Sequence, residues 1–553
     1  MSEEEEQFCL PRYEDIPESE HGTVLREVLG ICAKLLEINK RQETQLQLQQ
    51  ERIHYLEEQV ACLKDEIAIL KGEKGRPDIK PSNLNKAKHD NNQQDRKKDK
   101  RSGKGKKSKK LQIHKTEILR PSKIPTGSVF KGYEDYIVQD MKIGLHNVKY
   151  RRARYQAPDG KTVCGELPKE IQGTHFGHTL RSYILMQYFQ QHVPQRLILK
   201  QLWEFGVQIS AGQLSLIITT NGHRSFHQEK EAVLRAGLSV SSYINVDDTG
   251  ARHKGKNGYC THIGNELFTW FSSTKSKSRI NFLGLLRTGH ADYVIDEVAR
   301  EYMKSQRLPN QQINLFSTDQ VIPDSSSWQQ HLKKLGIVSE PHQRIATEAA
   351  LLASIFSHGL SPKLIVLSDD AGQFNVAGLL NALCWIHAER TIKKIIPFSE
   401  TNRLAQERVR EQIWNFYQNL KQYKLSHSEQ DKITLQKQFD QIFLQNTCFQ
   451  SLNLALTRIW KNKAELLLVL DRPEIPLHNN LSENDIRDYV TKRKISATTR
   501  SDSGQQARDT FLSLKKTCNK LHISFWQYLL DRTSQSNMVP QLSTIIHLAA
   551  QAN

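Results

Sequence analysis

From about Leu25 to Lys71 the apolar residues recur at every seventh position, with Leu46, Ile53, Val60 and Ile67 at one seam position and Leu56, Leu63 and Leu70 three further on. A sustained heptad predicts a coiled coil, and branched residues at a with leucine at d favour a parallel two-stranded one. Across such a pair Arg52 would face Glu57 and Glu66 would face Lys71, while Asn39 takes an a position that sets register. An amphipathic helix packed on the chain's own core is the competing reading, and Gln42 and Gln49 at d weaken the seam.

Further along, the period changes. Val148-Lys149-Tyr150-Arg151-Arg152-Ala153-Arg154-Tyr155, a turn at Pro158-Asp159-Gly160 and a return through Val163 predict a basic hairpin. Arg151, Arg152 and Arg154 suit a strand that faces nucleic acid, and equally an edge strand guarded by charge. Past Pro194, residues 195–204 read as a helix, Gly206 as its stop, and Ser210 as the cap of a second helix over 211–219. The spacing fits a helix-turn-helix, and also an ordinary helical hairpin, since the second helix carries few basic residues.

From Tyr243 the pattern becomes strands: 243–247, a turn at Asn257-Gly258, 259–263, a turn at Gly264-Asn265, then 267–273, read as three antiparallel strands. A helix-like stretch covers 281–286, and 364–367 is a short continuous apolar run of the kind buried in a parallel sheet. The fold class expected is therefore α/β with a mixed sheet. Val409, Ile413, Phe416, Tyr417 and Leu420 recur at helical spacing, which predicts a helical insertion before the chain returns to the core.

Composition sharpens this picture. The 553 residues exceed one ordinary domain, and the net charge of +18 points to a polyanionic partner, above all nucleic acid. Between Arg96 and Lys110 ten Lys and Arg face the single acid Asp99, so the segment supplies +9 and is expected to be a disordered, phosphate-binding linker. The same composition would serve nuclear targeting. Eight cysteines without a CxxC, and four glutamates directly after Met1-Ser2, fit a reducing cytoplasm (nucleoid-associated if DNA is bound) rather than a signal peptide. No run approaches the roughly 18 to 20 apolar residues of a membrane span, so no membrane role is expected.

Three acids carry the candidate chemistry. Asp247 ends the run Tyr243-Ile244-Asn245-Val246, Asp369 follows Lys363 to Ser368, and Glu483 opens a helix-like segment after Pro476 and Asn479-Asn480. Phosphodiester chemistry uses two Mg²⁺ ions, with hard oxygen ligands to hold them, and two strand ends and a helix can bring three carboxylates together. Taken singly, Asp247-Asp248 and Asp369-Asp370 would be strand-ending turns, and Glu483 would be a capping-box partner of Asn480. After Glu483 the residues Arg487, Lys492, Arg493, Lys494 and Arg500 form a basic stretch suited to a DNA backbone or to a solvated face.

With these motifs in view, the chain resembles the DDE transposases of insertion sequence family 66, from about Val148 to at least Phe511. The resemblance rests on Val246-Asp247-Asp248-Thr249, Leu367-Ser368-Asp369, Cys384-Trp385-Ile386-His387-Ala388-Glu389-Arg390, and Pro476-Leu477-His478-Asn479-Asn480 leading to Glu483. Gly165-Glu166-Leu167-Pro168, His175-Phe176-Gly177 and Ile209-Ser210-Ala211-Gly212-Gln213-Leu214 resemble the region before the core. The chain departs from the family pattern at Asp248, Glu389, His478 and Asn484.

The resemblance implies a ribonuclease-H-like fold with Asp247, Asp369 and Glu483 as catalytic Mg²⁺ ligands (two ions, Mn²⁺ able to stand in), His387 and Asn480 supporting them. It implies DNA as partner, at mobile-element ends and target, a homodimer or higher oligomer through the coil, and element-encoded helper proteins. Cys164 stands alone, so the zinc finger of many relatives is not expected. Cys384 and His387 give two ligands where structural zinc needs four.

The organisation expected is an acidic tail (1–24), coiled coil (25–72), basic linker (73–116), DNA-binding region (117–239), first part of the core (240–396), helical insertion (397–475), last part with the Glu helix (476–530) and a tail (531–553). A transposase that cleaves element ends and joins them to target DNA is the leading reading. A catalytically inactive DNA-binding relative and a nuclease without strand transfer are the alternatives.

Overall fold

The computed structural model of the chain describes residues 20–71, 114–119, 136, 138–139, 144–158, 161–168, 174–220 and 222–552. The stretch 1–19, the basic segment 96–110 and the turn residues Asp159 and Gly160 lie outside the described residues. The heptad stretch is a 51-residue helix, Glu20–Leu70, whose seam side chains form an exposed stripe. Arg154–Gln156 (β1) pairs antiparallel with Thr162–Cys164 (β2) as the anticipated hairpin. Arg151, Arg152 and Arg154 are exposed on it.

The helices Gln195–Glu204 and Ala211–Thr219 also stand where expected. Gly206, at φ +84°, provides the left-handed turn between them. Ser210 and Gln213 then close a capping box: Gln213 N donates to Ser210 Oγ at 3.2 Å, and Ser210 N donates to Gln213 Oε1 at 2.9 Å. Leu214, Ile217 and Ile218 bury the second helix in the molecule's main core.

That core is built around a five-stranded sheet. Tyr243–Gly250 (β3), Tyr259–Gly264 (β4) and Thr269–Thr274 (β5) pair antiparallel in sequence. Tyr293–Ile295 (β6) and Gln320–Ile322 (β7) form a separate pair. Ile365–Ser368 (β8) and Leu380–Leu383 (β9) lie parallel to β3, giving the order β5-β4-β3-β8-β9. The molecule is thus α/β with a mixed sheet.

Strand alternation decides what each face meets. Asn245, Asp247, Cys260 and His262 face the Asn480–Ser496 helix, while Ile244, Val246 and Ile263 join the main core on the other side. Residues 279–357 add helices and the β6–β7 pair to that core. The helices Glu400–Leu425, Glu429–Phe443 and Gln450–Lys461 build a second core around Trp385, Phe416, Phe439 and Phe443.

The expected tail 531–553 is corrected by the structure. Leu542–Ala552 is a helix whose Leu542 and Ile546 are fully buried against the Arg224–Val240 helix. The run Leu542, Ile545, Ile546 supplies an apolar face at helical spacing, and Arg532 pairs with buried Glu229 beneath it, at 2.9 Å. Among the described residues no helix is long and apolar enough to cross a membrane.

Candidate active site

The site forms where β3 and β8 end side by side. Asn245 pairs with Leu367 in the parallel register, so Asp247 and Asp369, two residues further on each strand, arrive at the same level. The 122 positions that separate them hold β4 to β7 and the helices from Arg279–Leu286 to Glu340–Ser357, not a loop. Asp247 is largely buried, and it accepts a hydrogen bond from Asp248 N at 2.7 Å. Burial, and then the Asp369 carboxylate beside it, push the Asp247 carboxyl up to about 7. Two acids share one poorly solvated space.

Asp248 points away from this space. Thr261 Oγ1 donates to it at 2.5 Å and Gln373 Nε2 at 2.8 Å, so both its oxygens are engaged on the opposite side of the sheet. Burial raises its carboxyl, with these two donors opposing. Asp370 leaves the strand at φ +70°, with Arg458 Nη2 on its carboxylate at 2.9 Å.

Glu483 reaches the site on the first turns of the Asn480–Ser496 helix. The helix start is fixed by the residue before it. Asn479, fully buried, donates from Nδ2 to the Val246 carbonyl at 2.8 Å, accepts from Asn245 Nδ2 at 2.8 Å, and donates its backbone N–H to Cys384 Sγ at 3.2 Å. Its side chain therefore ties the helix to β3 instead of capping it. Asn480, the expected supporting residue, is exposed; the supporting contacts belong to Asn479. In a row of two asparagines, only the buried position of the first distinguishes them.

One turn further into the helix a second anchor holds it. Ser482 Oγ lies 2.7 Å from His262 Nδ1, and His262 Nε2 lies 3.1 Å from Asp485 Oδ2. Burial lowers the affinity of His262 for a second proton, consistent with a neutral ring that donates to Asp485 and accepts from Ser482. Burial would raise the Asp485 carboxyl, but His262 and Lys520 (2.7 Å) hold it well below the usual carboxylate range. His262 stands directly across from Asp247 in the β3–β4 register.

The Glu483 carboxylate accepts from Arg390 Nη1 at 3.0 Å, and His387 Nε2 lies 3.6 Å from it. His387 is thus beside Glu483 as expected, and burial lowers its proton affinity while Asp369 and Glu483 act in the opposite sense. The three acids do not draw to within 4.8 Å of one another; among the described residues only His290, Asp292 and His358 make so tight a group of ligand-type side chains. In that group the two rings stack at 3.6 Å and His358 Nε2 lies 2.9 Å from Asp292 Oδ1, a hydrogen bond at the C-terminus of the Glu340–Ser357 helix.

The basic stretch after Glu483 divides. Arg487 and Lys494 are exposed. Arg493 donates to the Gly250 carbonyl and so braces the end of β3. Lys492 is a correction to the expected DNA ligands: it is fully buried, donates from Nζ to the Tyr188 carbonyl at 2.6 Å, and sits 3.3 Å from the Tyr188 ring centroid. Burial, then Arg508 and Lys515, lower its ammonium to about 6. It faces inward because helical position 492 follows Ile486 and Tyr489 at spacings of three, on the buried face.

Three of the four departures from the family pattern turn their side chains elsewhere than the space between Asp247 and Asp369. Asp248 faces the other side of the sheet, Glu389 is buried against Arg410 Nε at 2.6 Å in the helical block, and Asn484 is exposed.

Fold and site together define an α/β protein with two crowded carboxylates at adjacent strand ends and a third on a pinned helix. The chain belongs to the transposase family of insertion sequence 66. The family model described as Transposase IS66 family matches residues 359–507, a span that holds Asp369, the Cys384–Arg390 motif, the helical block and Glu483. The chain is also 43% identical over 304 residues to the uncharacterized protein y4jO of Sinorhizobium fredii (strain NBRC 101917 / NGR234), covering 54% of this chain and 94% of that protein.

Proposed function

We propose that the chain is a DDE transposase with a ribonuclease-H-like core, in which Asp247, Asp369 and Glu483 are the metal-holding triad. The observation that carries this is the placement of Asp247 and Asp369 two residues beyond the Asn245–Leu367 register pair of β3 and β8, with burial and the Asp369 charge pushing the Asp247 carboxyl up to about 7. Carboxylates crowded this way fit a hard divalent cation, because its charge relieves their repulsion and its ligand preference is oxygen. Magnesium ions bound there would activate the attacking oxygen and stabilise the leaving one.

The chain's own residues do the rest. Asn479 and the His262–Ser482–Asp485 set hold the helix that presents Glu483. Arg390 holds the Glu483 carboxylate at 3.0 Å and would release it to a metal ion held by the triad. His387, between Asp369 and Glu483, can orient either acid. The products would be a freed 3′-hydroxyl at each element end and, after its attack on target DNA, a joined strand.

The test incubates purified full-length protein with end-bearing duplex DNA and Mg²⁺ and resolves cleaved and joined strands. Cleavage and joining by the wild type, both reduced at least about 100-fold in Asp247→Ala and Glu483→Ala, is the expected result. Wild-type activity retained in either variant overturns the assignment. Cleavage without joining would mark a nuclease instead.

A further inference from the structure

We infer that the loop 251–258, between β3 and β4, is a rigid arm that binds the phosphate backbone of duplex DNA beside the candidate active site. It is the direct continuation of the strand that carries Asp247. At about 3.3 Å per residue, Arg252 lies about 16 Å beyond Asp247, roughly the axial length of five base pairs at 3.4 Å each. Arg252, Lys254 and Lys256 are all exposed, with no acid between them. Lys275 and Lys277 are exposed just past β5; Lys277 Nζ lies 5.4 Å from the ring centroid of Tyr259, the residue after the loop, and pulls on both Asp247 and Asp248.

A solvated basic loop needs no scaffold, and this one has several anchors. Ala251 N donates to the Gly258 carbonyl at 2.7 Å, and Ala251 is buried with Ile486 and Tyr489 of the Glu483 helix. Lys254 N donates to the Thr499 carbonyl at 2.9 Å, and His253 Nδ1 meets Thr499 Oγ1 at 2.8 Å. The loop is thereby clamped to the segment that follows the Glu483 helix. A Cβ at Gly258 would sit 2.7 Å from the Ala251 carbonyl oxygen, and Gly255 takes φ +78°, so the turn accepts no ordinary side chain at either place.

The acid facing the arm is Asp502, which holds Lys254 Nζ at 2.6 Å and His253 Nε2 at 2.9 Å while itself largely exposed. Such a surface pair is weak, so a DNA phosphate can take Lys254 from it. The fixed backbone presents Arg252, Lys254 and Lys256 together, so that only their side chains lose freedom at the moment of binding. No base edge is addressed by this arrangement; it sets the position of the duplex relative to Asp247, not the sequence bound.

The inference rests on the triad reading for its purpose but not for its test. Full-length protein and the triple variant Arg252→Ala/Lys254→Ala/Lys256→Ala are titrated with a duplex fragment in EDTA over a range of salt, with far-ultraviolet circular dichroism and melting temperature as folding controls. The slope of log affinity against log salt should become shallower by about 2 to 3 for three lost phosphate contacts, and affinity should fall at least about 10-fold at low salt. An unchanged slope in a folded triple variant overturns the arm, whatever the triad does in the cleavage assay. Loss of metal-dependent cleavage in the triple variant that added protein restores locates the defect in binding and supports it.

Discussion

At Asp247 burial and a neighbouring like charge act in the same direction, and this has a measurable consequence for stability without metal. The folded protein holds a proton at Asp247 up to about pH 7, whereas the unfolded chain releases it near 3.8. Where the folded state binds more protons, stability falls as pH rises. The contribution is therefore fully present below about pH 4 and lost as pH passes 7, on the order of 2–4 kcal/mol in total. Asp247→Asn removes this dependence and keeps an oxygen for the Asp248 N–H. In EDTA at pH 8 the variant should melt above the wild type, with the difference shrinking toward pH 5 in differential scanning calorimetry; added Mg²⁺ should stabilise the wild type and leave the variant unchanged. A variant that melts below the wild type at every pH would show that Asp247 is not under electrostatic pressure.

Between elements, the decisive contact is the one that joins a helix to a strand 233 positions earlier in the chain: Asn479 Nδ2 on the Val246 carbonyl. Replacing Asn479 with Ala leaves that carbonyl and the Asn245 amide buried without this partner, a cost of roughly 1–3 kcal/mol for each group. We expect Asn479→Ala to lower stability by about 2–4 kcal/mol in denaturant titration and to reduce strand cleavage while DNA affinity in EDTA stays within about 2-fold of wild type. Equal loss of binding and cleavage would mean that Asn479 supports the fold at large and not the placement of Glu483.

The same contact marks what sequence could carry. Strands β3, β4, β5 and β8 were legible because their apolar runs are bounded by turns, and Asp247, Asp369 and Glu483 because each follows such a run or a helix start. Strand β9, with Asn381 and Ala382 in four residues, has no such signature; it is ordered by pairing with β8. The choice of Asn479 over Asn480, and the burial of Lys492, depend on the rotation of one helix against the sheet, which residue type alone does not encode. The arm at 251–258 reads as a plain turn in sequence because its anchor Thr499, and Arg493 that braces the strand end before it, come from more than 200 positions later.

For the whole molecule the open face is the long helix, and its register assigns the two sides different tasks. Counting from the a positions Ile53 and Val60, the residues that touch the chain's own helical block are Glu58, Ala61 and Asp65, at heptad positions f, b and f. Glu58 accepts from Thr401 at 3.3 Å, Ala61 is buried, and Asp65 accepts from Ser451 N at 2.9 Å. Positions b and f lie opposite the a/d seam, so the helix is fastened by its back and offers Ile53, Leu56, Val60, Leu63 and Ile67 outward, each about half exposed. An amphipathic helix packed on its own core would do the reverse. We expect a second copy of the chain on that seam, since its heptads match by construction and Arg52 would meet Glu57 across it. Two chains joined so would carry two sites for two DNA ends. Leu56→Lys/Leu63→Lys places like charges at facing d positions; in sedimentation velocity at micromolar concentration the wild type should run as a dimer and the variant as a monomer. The variant should still nick single ends in Mg²⁺ but lose concerted joining of two ends by at least about 10-fold, because an intermolecular encounter replaces an effective local concentration near millimolar. A monomeric wild type, or a variant with unchanged association, would assign the exposed seam to some other role and leave the pairing of ends to DNA contacts alone.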